Sequence, residues 1–276
     1  VGDVLSHLLL VGLAGIWIIP IGWVVMEGFN ANPGPYNPSF FPEEYTLDNY
    51  IQLFTDTHIL NFPKMFMHTF IIAVISCLIN VFFVLCVAFS MSRLRFRFRK
   101  SFMNVVLVLG MFPNIMSVVV IYFILKSMGL TQGIGVTIAL ILVYSAGAGA
   151  GFYVMKGYMD TIPMSLDEAA ALDGCTRWQI FTKITLPLSK PIIIYQILTS
   201  FTAPWVDFIF AKVICRANAD QYTIAIGLWR MLEKEYIDNW YTSFAAGSVL
   251  ISIPIAILFL NLQKYYVNGM AGAVKG

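Results

Sequence analysis

The residue types able to do covalent or metal chemistry are few in this chain, and they are scattered. His7, His58 and His68 pair with no cysteine or carboxylate at metal-ligand spacing. Cys77 and Cys86 share one apolar stretch, Cys175 and Cys215 lie far from it, and no Cys-x-x-Cys occurs, so four inert thiols are expected. The dipeptide Gly-Lys never occurs, which excludes the phosphate-cradling loop GxxxxGK[ST]. Gly147-Ala-Gly-Ala-Gly151 is glycine-rich but sits inside an apolar run with no strand before it; small residues four apart are a device for close helix packing in membranes. No catalytic residue and no metal site are predicted.

Two polar features stand out instead. One is Asp207, a lone acid inside an apolar run, beside Trp205 and after Pro204. A charged side chain facing lipid costs about 2.5–3.5 kcal/mol on insertion scales, so Asp207 is expected to face a helix-bundle interior. The other is a polar, helix-punctuated segment, residues 156–190. Asn80, Asn104, Asn114, Tyr122, Tyr144, Tyr195 and Gln196 also fall in apolar runs and read as helix-to-helix hydrogen-bonding groups.

These residues need spans to position them, and the composition supplies them. The 276 residues are 59% hydrophobic and 12% charged, against about 25% charged in a typical soluble domain. Mean hydropathy is +0.78 and the formal net charge is +2. A disordered chain, a basic nucleic-acid binder and a disulfide-stapled domain all fit poorly. The chain reads as an all-α membrane protein in contact with lipid, with no nucleic-acid partner. A bilayer core about 30 Å thick needs ~20 apolar residues of helix. Six continuous apolar stretches qualify, at about 8–26, 69–92, 101–125, 134–155, 191–211 and 241–263, within one transmembrane domain spanning 1–276. Gly129, Gly133 and Gly135 mark the break between the third and fourth.

Eleven of the seventeen basic residues fall on one side, five of them in Arg93–Lys100, which predicts that both termini are cytoplasmic. The first residue is Val, so part of the N-terminus is expected to be missing, and no cleavable signal peptide is visible. The other side carries loops at about 30–68 and 212–240. In the first, Thr46 is expected to N-cap a short amphipathic helix with Leu47, Tyr50, Ile51 and Phe54 on one face.

In the cytoplasmic loop, Ser165 and Glu168 have capping-box spacing, and Ala169, Ala170, Ala171 and Leu172 are good helix formers. Gly174 fits the left-handed position that ends a helix. Thr176 can cap a second helix, Arg177–Ile184, which Pro187 is expected to stop. Leu172, Trp178, Ile180 and Phe181 would be exposed on these helices. Small residues beside exposed apolar ones make a docking element a better reading than a solvated connector.

Glu168-Ala169-Ala170, Gly174, Ile184, Leu186 and Pro187 match the EAA-loop signature at every specified position, and this identifies the chain as resembling the permease subunits of binding-protein-dependent ABC importers. Met111-Phe112-Pro113, Lys156-Gly157-Tyr158, Tyr222-Thr223-Ile224-Ala225 and the closing Asn268–Gly276 are similar to the shorter, six-span permease of the maltose/maltodextrin type. The resemblance implies the type I importer permease fold in a bacterial cell (inner or plasma) membrane. It implies a second permease subunit, two ATP-binding ATPase subunits and an extracytoplasmic solute-binding protein as partners. No cofactor is expected in this chain; the resemblance places ATP and Mg on the ATPase, so the chain is not itself an enzyme. Glu168, Ala169, Ala170, Gly174, Ile184, Leu186 and Pro187 would form the coupling element seated on the ATPase, with Gly269, Lys275 and Gly276 as a second contact. Glu233, Lys234, Glu235 and Tyr236 would meet the binding protein. Trp205 and Asp207 would line the sugar path, unless Asp207 serves only helix packing.

A maltodextrin or other oligosaccharide is the expected solute, with a polyol or glycerol phosphate as the alternative. An ion-coupled secondary transporter would need more intramembrane charge than Asp207. A membrane-embedded enzyme would need a converging catalytic cluster.

Overall fold

A computed structural model of the chain describes residues 2–35, 39–111, 114–146 and 148–273. Among these residues the structure is helical, and the extended pairing is a single antiparallel bridge between Asn30 and Tyr45. In chain order the helices are α1 (Gly2–Gly28), α2 (Asp48–Thr55), α3 (Phe62–Arg93), α4 (Arg99–Gly110), α5 (Asn114–Ser127), α6 (Ile134–Ala146) and α7 (Ala148–Asp160). They continue as α8 (Met164–Leu172), α9 (Arg177–Ile180), α10 (Leu186–Leu188), α11 (Lys190–Val206), α12 (Ile209–Cys215), α13 (Ile224–Met231) and α14 (Ile237–Ala273).

Among the described residues four segments are long and apolar enough to cross a membrane: Val4–Gly28, Phe62–Arg93, Ile134–Asp160 and Ile237–Tyr265. Arg177–Leu188 and Lys190–Val206, bent by 79° where they meet, supply a fifth if taken together. Two expected spans are divided. Residues 101–125 are shared between α4, of 12 residues, and α5, of 14, and neither alone reaches across ~30 Å. The stretch 191–211 is interrupted at Asp207, whose extended backbone (φ −82°, ψ 104°) separates α11 from α12. The expected break between α5 and α6 is present, with positive φ at Gly129 and Gly133.

The chain forms two compact units, Val1–Met67 with Thr223–Pro254, and His68–Tyr222 with Ile255–Gly276. In the first, Leu53, Phe62, Ile224, Ile226, Met231 and Trp240 are buried. A methyl group on Gly247 would lie 2.8 Å from Leu228 Cδ2 and 3.3 Å from Phe62 Cε2, so the missing side chain is what lets these elements close up. α2 turns a different face inward from the one expected. Leu47, Ile51 and Phe54 are exposed, while Asn49 and Leu53 are buried. The reason is polar: Asn49 Nδ2 donates to the carbonyls of Gly28 and Asn30 at 3.1 and 2.7 Å, and Thr242 Oγ1 donates to Asn49 Oδ1 at 2.8 Å. Thr46 lies one residue ahead of the cap position, which Leu47 takes, although its hydroxyl does accept the Asp48 N–H at 3.0 Å. α1 is apolar all round and exposed from Val4 to Ile21, as for a helix that meets lipid or another protein.

In the second unit, Val84, Ala88 and Met91 of α3 pack on Phe152, Met155 and Met159 of α7. Polar groups tie α3 to α6 and α11. Gln196 Nε2 donates to Asn80 Oδ1 at 2.8 Å, and Asn80 Nδ2 donates to the Ser145 carbonyl at 3.1 Å. The Gln196 amide occupies the space that a side chain on Gly151 would fill, 3.1 Å from its ideal Cβ position. Asn80, Tyr144 and Gln196 thus make the helix-to-helix bonds expected of them, and Gly151 packs closely; Gly147 lies outside the described residues.

Candidate functional site

The loop between α7 and α11 is two short helical pieces hinged at Gly174. α8 opens at Pro163, whose φ of −56° suits a helix start, and no side chain caps it. This corrects the expected Ser165–Glu168 capping box: the helix begins two residues earlier and Ser165 lies inside it. At the other end, Gly174 takes φ +82°, its N–H donates to the Ala171 carbonyl at 3.1 Å, and the Cys175 N–H donates to the Ala170 carbonyl at 2.9 Å. These bonds collect carbonyls that the end of α8 would leave unpaired. Thr176 then caps α9 as expected, in a reciprocal box in which Thr176 N–H donates to Gln179 Oε1 at 2.7 Å and Gln179 N–H to Thr176 Oγ1 at 3.3 Å.

Beyond α9 the expected helix to Ile184 becomes a π-helical stretch, Phe181–Thr185, that runs straight into α10. Pro187 does not stop it. The helical run continues through Pro187 to Leu188, and the turn at Ser189 ends the segment. Ile180 and Phe181 are buried rather than exposed, Phe181 lying against Phe89 with ring centroids 4.8 Å apart. Of the four apolar groups expected outward, Leu172, 89% exposed, and Trp178, 65% exposed, do face out.

α8 is two-sided. Asp167 and Ala170, three apart, face inward, while Glu168, Ala169, Ala171 and Leu172 face outward. Of the signature residues, Glu168, Ala169 and Gly174 therefore lie together on the free surface, and Ala170 packs beneath them. Ile184 and Leu186 are half-buried in the second piece, with Pro187 exposed. The inward face of α8 meets Arg93, a residue the sequence presents only as one of five basic residues in a short loop. Arg93 Nε lies 3.1 Å from Asp167 Oδ2, and Arg93 Nη2 donates to the carbonyls of Met159 and Ile162 at 2.8 and 3.0 Å. No spacing rule joins residues 93 and 167.

The second feature, Trp205–Asp207, is resolved into two different environments. Trp205 is 1% exposed, packed on Phe70 and Phe201. Asp207 is half-buried: Tyr144 Oη donates to its Oδ2 at 3.1 Å, and the Phe210 N–H donates to its Oδ1 at 3.0 Å. The carboxylate thus sits over the N-terminal end of α12, where a helix dipole favours negative charge.

Glu233, Lys234, Glu235 and Tyr236 form the turn between α13 and α14, with Lys234 and Glu235 exposed and Arg230 over the Tyr236 ring at 5.8 Å. Gly269 lies within α14; Lys275 and Gly276 fall outside the described residues. Among the described residues the four cysteines form no disulfide, and Cys77 and Cys215 are buried. Among the described residues no group of His, Cys, Asp and Glu could hold a metal ion.

Comparison with known proteins places this arrangement. A family model described as "Binding-protein-dependent transport system inner membrane component" matches residues 84–272, which include α7, the whole loop and α11. The galactooligosaccharides transport system permease protein GanQ of Bacillus subtilis (strain 168) is 35% identical over 98% of this chain and 95% of its own length. The maltodextrin transport system permease protein MdxG of the same organism is 32% identical over 98% of this chain and 95% of its own. The fold is shared with a chain from the crystal structure of a bacterial ABC transporter involved in the import of the acidic polysaccharide alginate, with a TM-score of 0.76, 20% identity and 96% of both chains covered. The chain belongs to the inner membrane components of binding-protein-dependent transport systems.

Proposed function

We propose that this chain is the permease subunit of an ATP-driven importer for oligosaccharides of the maltodextrin or galactooligosaccharide class, in a bacterial inner or plasma membrane. The observation that carries the reading is α8: a short helix with Glu168 and Ala169 outward, closed by a left-handed Gly174, beside a fully exposed Leu172. A solvated connector has no need of exposed Leu and Trp; a surface that seats on another protein does.

In this reading the chain is one transmembrane domain with six spans and both termini cytoplasmic, α4 with α5 making the third span and α11 with α12 the fifth. A second permease, two ATPase subunits and an extracytoplasmic solute-binding protein complete the machine, with ATP and Mg bound by the ATPases. Closure of the two ATPases moves the docked loops, and the spans convert that motion into alternating inward and outward opening. Gly269–Gly276 supplies a second ATPase contact and the Glu233–Tyr236 turn meets the binding protein. Asp207 faces the solute path, held by Tyr144, with Trp205 packed behind it.

The test is co-purification followed by reconstitution. Tagged chain extracted from membranes retains an ATPase subunit, and the purified assembly hydrolyses ATP faster when given binding protein loaded with maltodextrin or galactooligosaccharide. Chain that accumulates in the membrane yet retains no ATPase refutes the reading. Stimulation by glycerol phosphate or a polyol alone refutes the oligosaccharide assignment and leaves the importer.

A further inference from the structure

The last turns of α3 present two side chains one helical turn apart, Phe89 and Arg93, and each holds a different half of the loop. Phe89 packs on Phe181 in the second piece. Arg93 engages the first piece and the approach to it: Asp167 at 3.1 Å, the carbonyls of Met159 and Ile162, and the Met164 thioether. Between them, Ser92 Oγ donates to Asp160 Oδ1 at 2.6 Å, and Asp160 also pairs with Lys156. The Arg93 and Asp167 side chains are only 4% and 11% exposed.

A surface ion pair would be loose and screened. This one is desolvated: Arg93 Nε faces the carboxylate as an ion pair, while Nη1 and Nη2 donate to a sulfur and two carbonyls. Taking two charges out of water to hold a connector is costly when the buried Phe181 and Ala170 already fasten it. What a planar, multiply bonded guanidinium adds is a fixed angle.

We propose that Arg93 is a positioning residue of the docking loop. Acting through Asp167, the neighbour of Glu168, it locks α8 to the ends of α3 and α7, so that a displacement imposed on α8 reaches α3 without a hinge. The inference rests on α8 being the docking helix.

The test uses the complete assembly in lipid. Spin labels are placed at Ser165→Cys on α8 and Phe83→Cys on the exposed side of α3, with Cys86 and Cys175 replaced by serine. The distance between them keeps one narrow peak in the nucleotide-free and ATP-bound states. Asp167→Asn, which preserves shape and leaves Glu168 and Ala169 in place, retains the ATPase, broadens that peak, and lowers solute taken up per ATP hydrolysed roughly two- to thirtyfold, the range expected for a coupling position. A peak that moves between nucleotide states in the assembly with Arg93 and Asp167 intact overturns the proposal, and so does an unchanged uptake-to-ATP ratio in Asp167→Asn. If Asp167→Asn does not accumulate, Arg93→Lys keeps the charge but gives up the fork and reads the same ratio: a reduced ratio supports the lock and an unchanged one overturns it. Absence of the ATPase from assemblies with Arg93 and Asp167 intact marks failure of the docking reading, and the lock falls with it.

Discussion

Gly174 separates backbone strain from surface contact in the loop proposed to dock. Its φ is +82°, and a methyl group added there would meet nothing within 4 Å. An alanine at this position therefore suffers only from the backbone, about 1–2 kcal/mol for an L residue in left-handed conformation. That lowers the population of the native turn about five- to thirtyfold, since 1.4 kcal/mol is a factor of about ten. Asparagine tolerates the left-handed region far better than alanine despite its greater size. Proline fixes φ near about −65° and also deletes the N–H that bonds the Ala171 carbonyl, for about 3 kcal/mol or more. The expected order of coupling is therefore Gly174 best, then Asn, then Ala, then Pro. Membrane abundance stays equal across the series, because the turn lies outside the spans. The assay is uptake by reconstituted vesicles together with ATPase retained per chain. If Asn couples worse than Ala, side-chain volume at a tight interface governs the position, and the backbone argument is refuted.

Three further outcomes are expected. Gly247→Ala drives a methyl group to 2.8 Å from Leu228 and should cost about 1–3 kcal/mol of overpacking, read as a lower unfolding temperature in detergent; an unchanged temperature would show that this packing yields freely. Asp207→Asn keeps one acceptor oxygen for the Phe210 N–H, and its Nδ2 can donate to the Tyr144 hydroxyl in place of accepting from it, whereas Asp207→Ala loses the Phe210 bond at the start of α12, about 1 kcal/mol. Asn should thus leave thermal stability near normal and Ala lower it, while uptake falls in both if the charge faces the solute. Gln196→Leu strips Asn80 of a donor and, being shorter, leaves the space beside Gly151 less filled; intramembrane hydrogen bonds average about 0.6 kcal/mol, so a loss well beyond that, measured by thermal unfolding, would identify the lost packing beside Gly151 as the larger part.

What the sequence determines by itself is whatever depends on local chemistry and composition. Low charge and long apolar runs dictate helices in a membrane, because a backbone in lipid must satisfy its own hydrogen bonds. Gly174 and Thr176 announce their roles, since a left-handed turn and an N-cap depend on a residue and its immediate neighbours. Local rules mislead where a distant partner outbids them. α2 buries Asn49 rather than its apolar stripe because Gly28, Asn30 and Thr242 complete the amide's bonds. Ile180 and Phe181 turn inward because α3 offers Phe89. Asp207 is legible as an unusual charge, but only the fold reveals that its carboxylate caps α12 and accepts from Tyr144. The tertiary structure alone decides the role of Arg93. In sequence it is a basic residue at the end of a span; in the fold it is buried against Asp167, because only packing brings residues 74 positions apart within 3.1 Å and removes the water that would otherwise screen them.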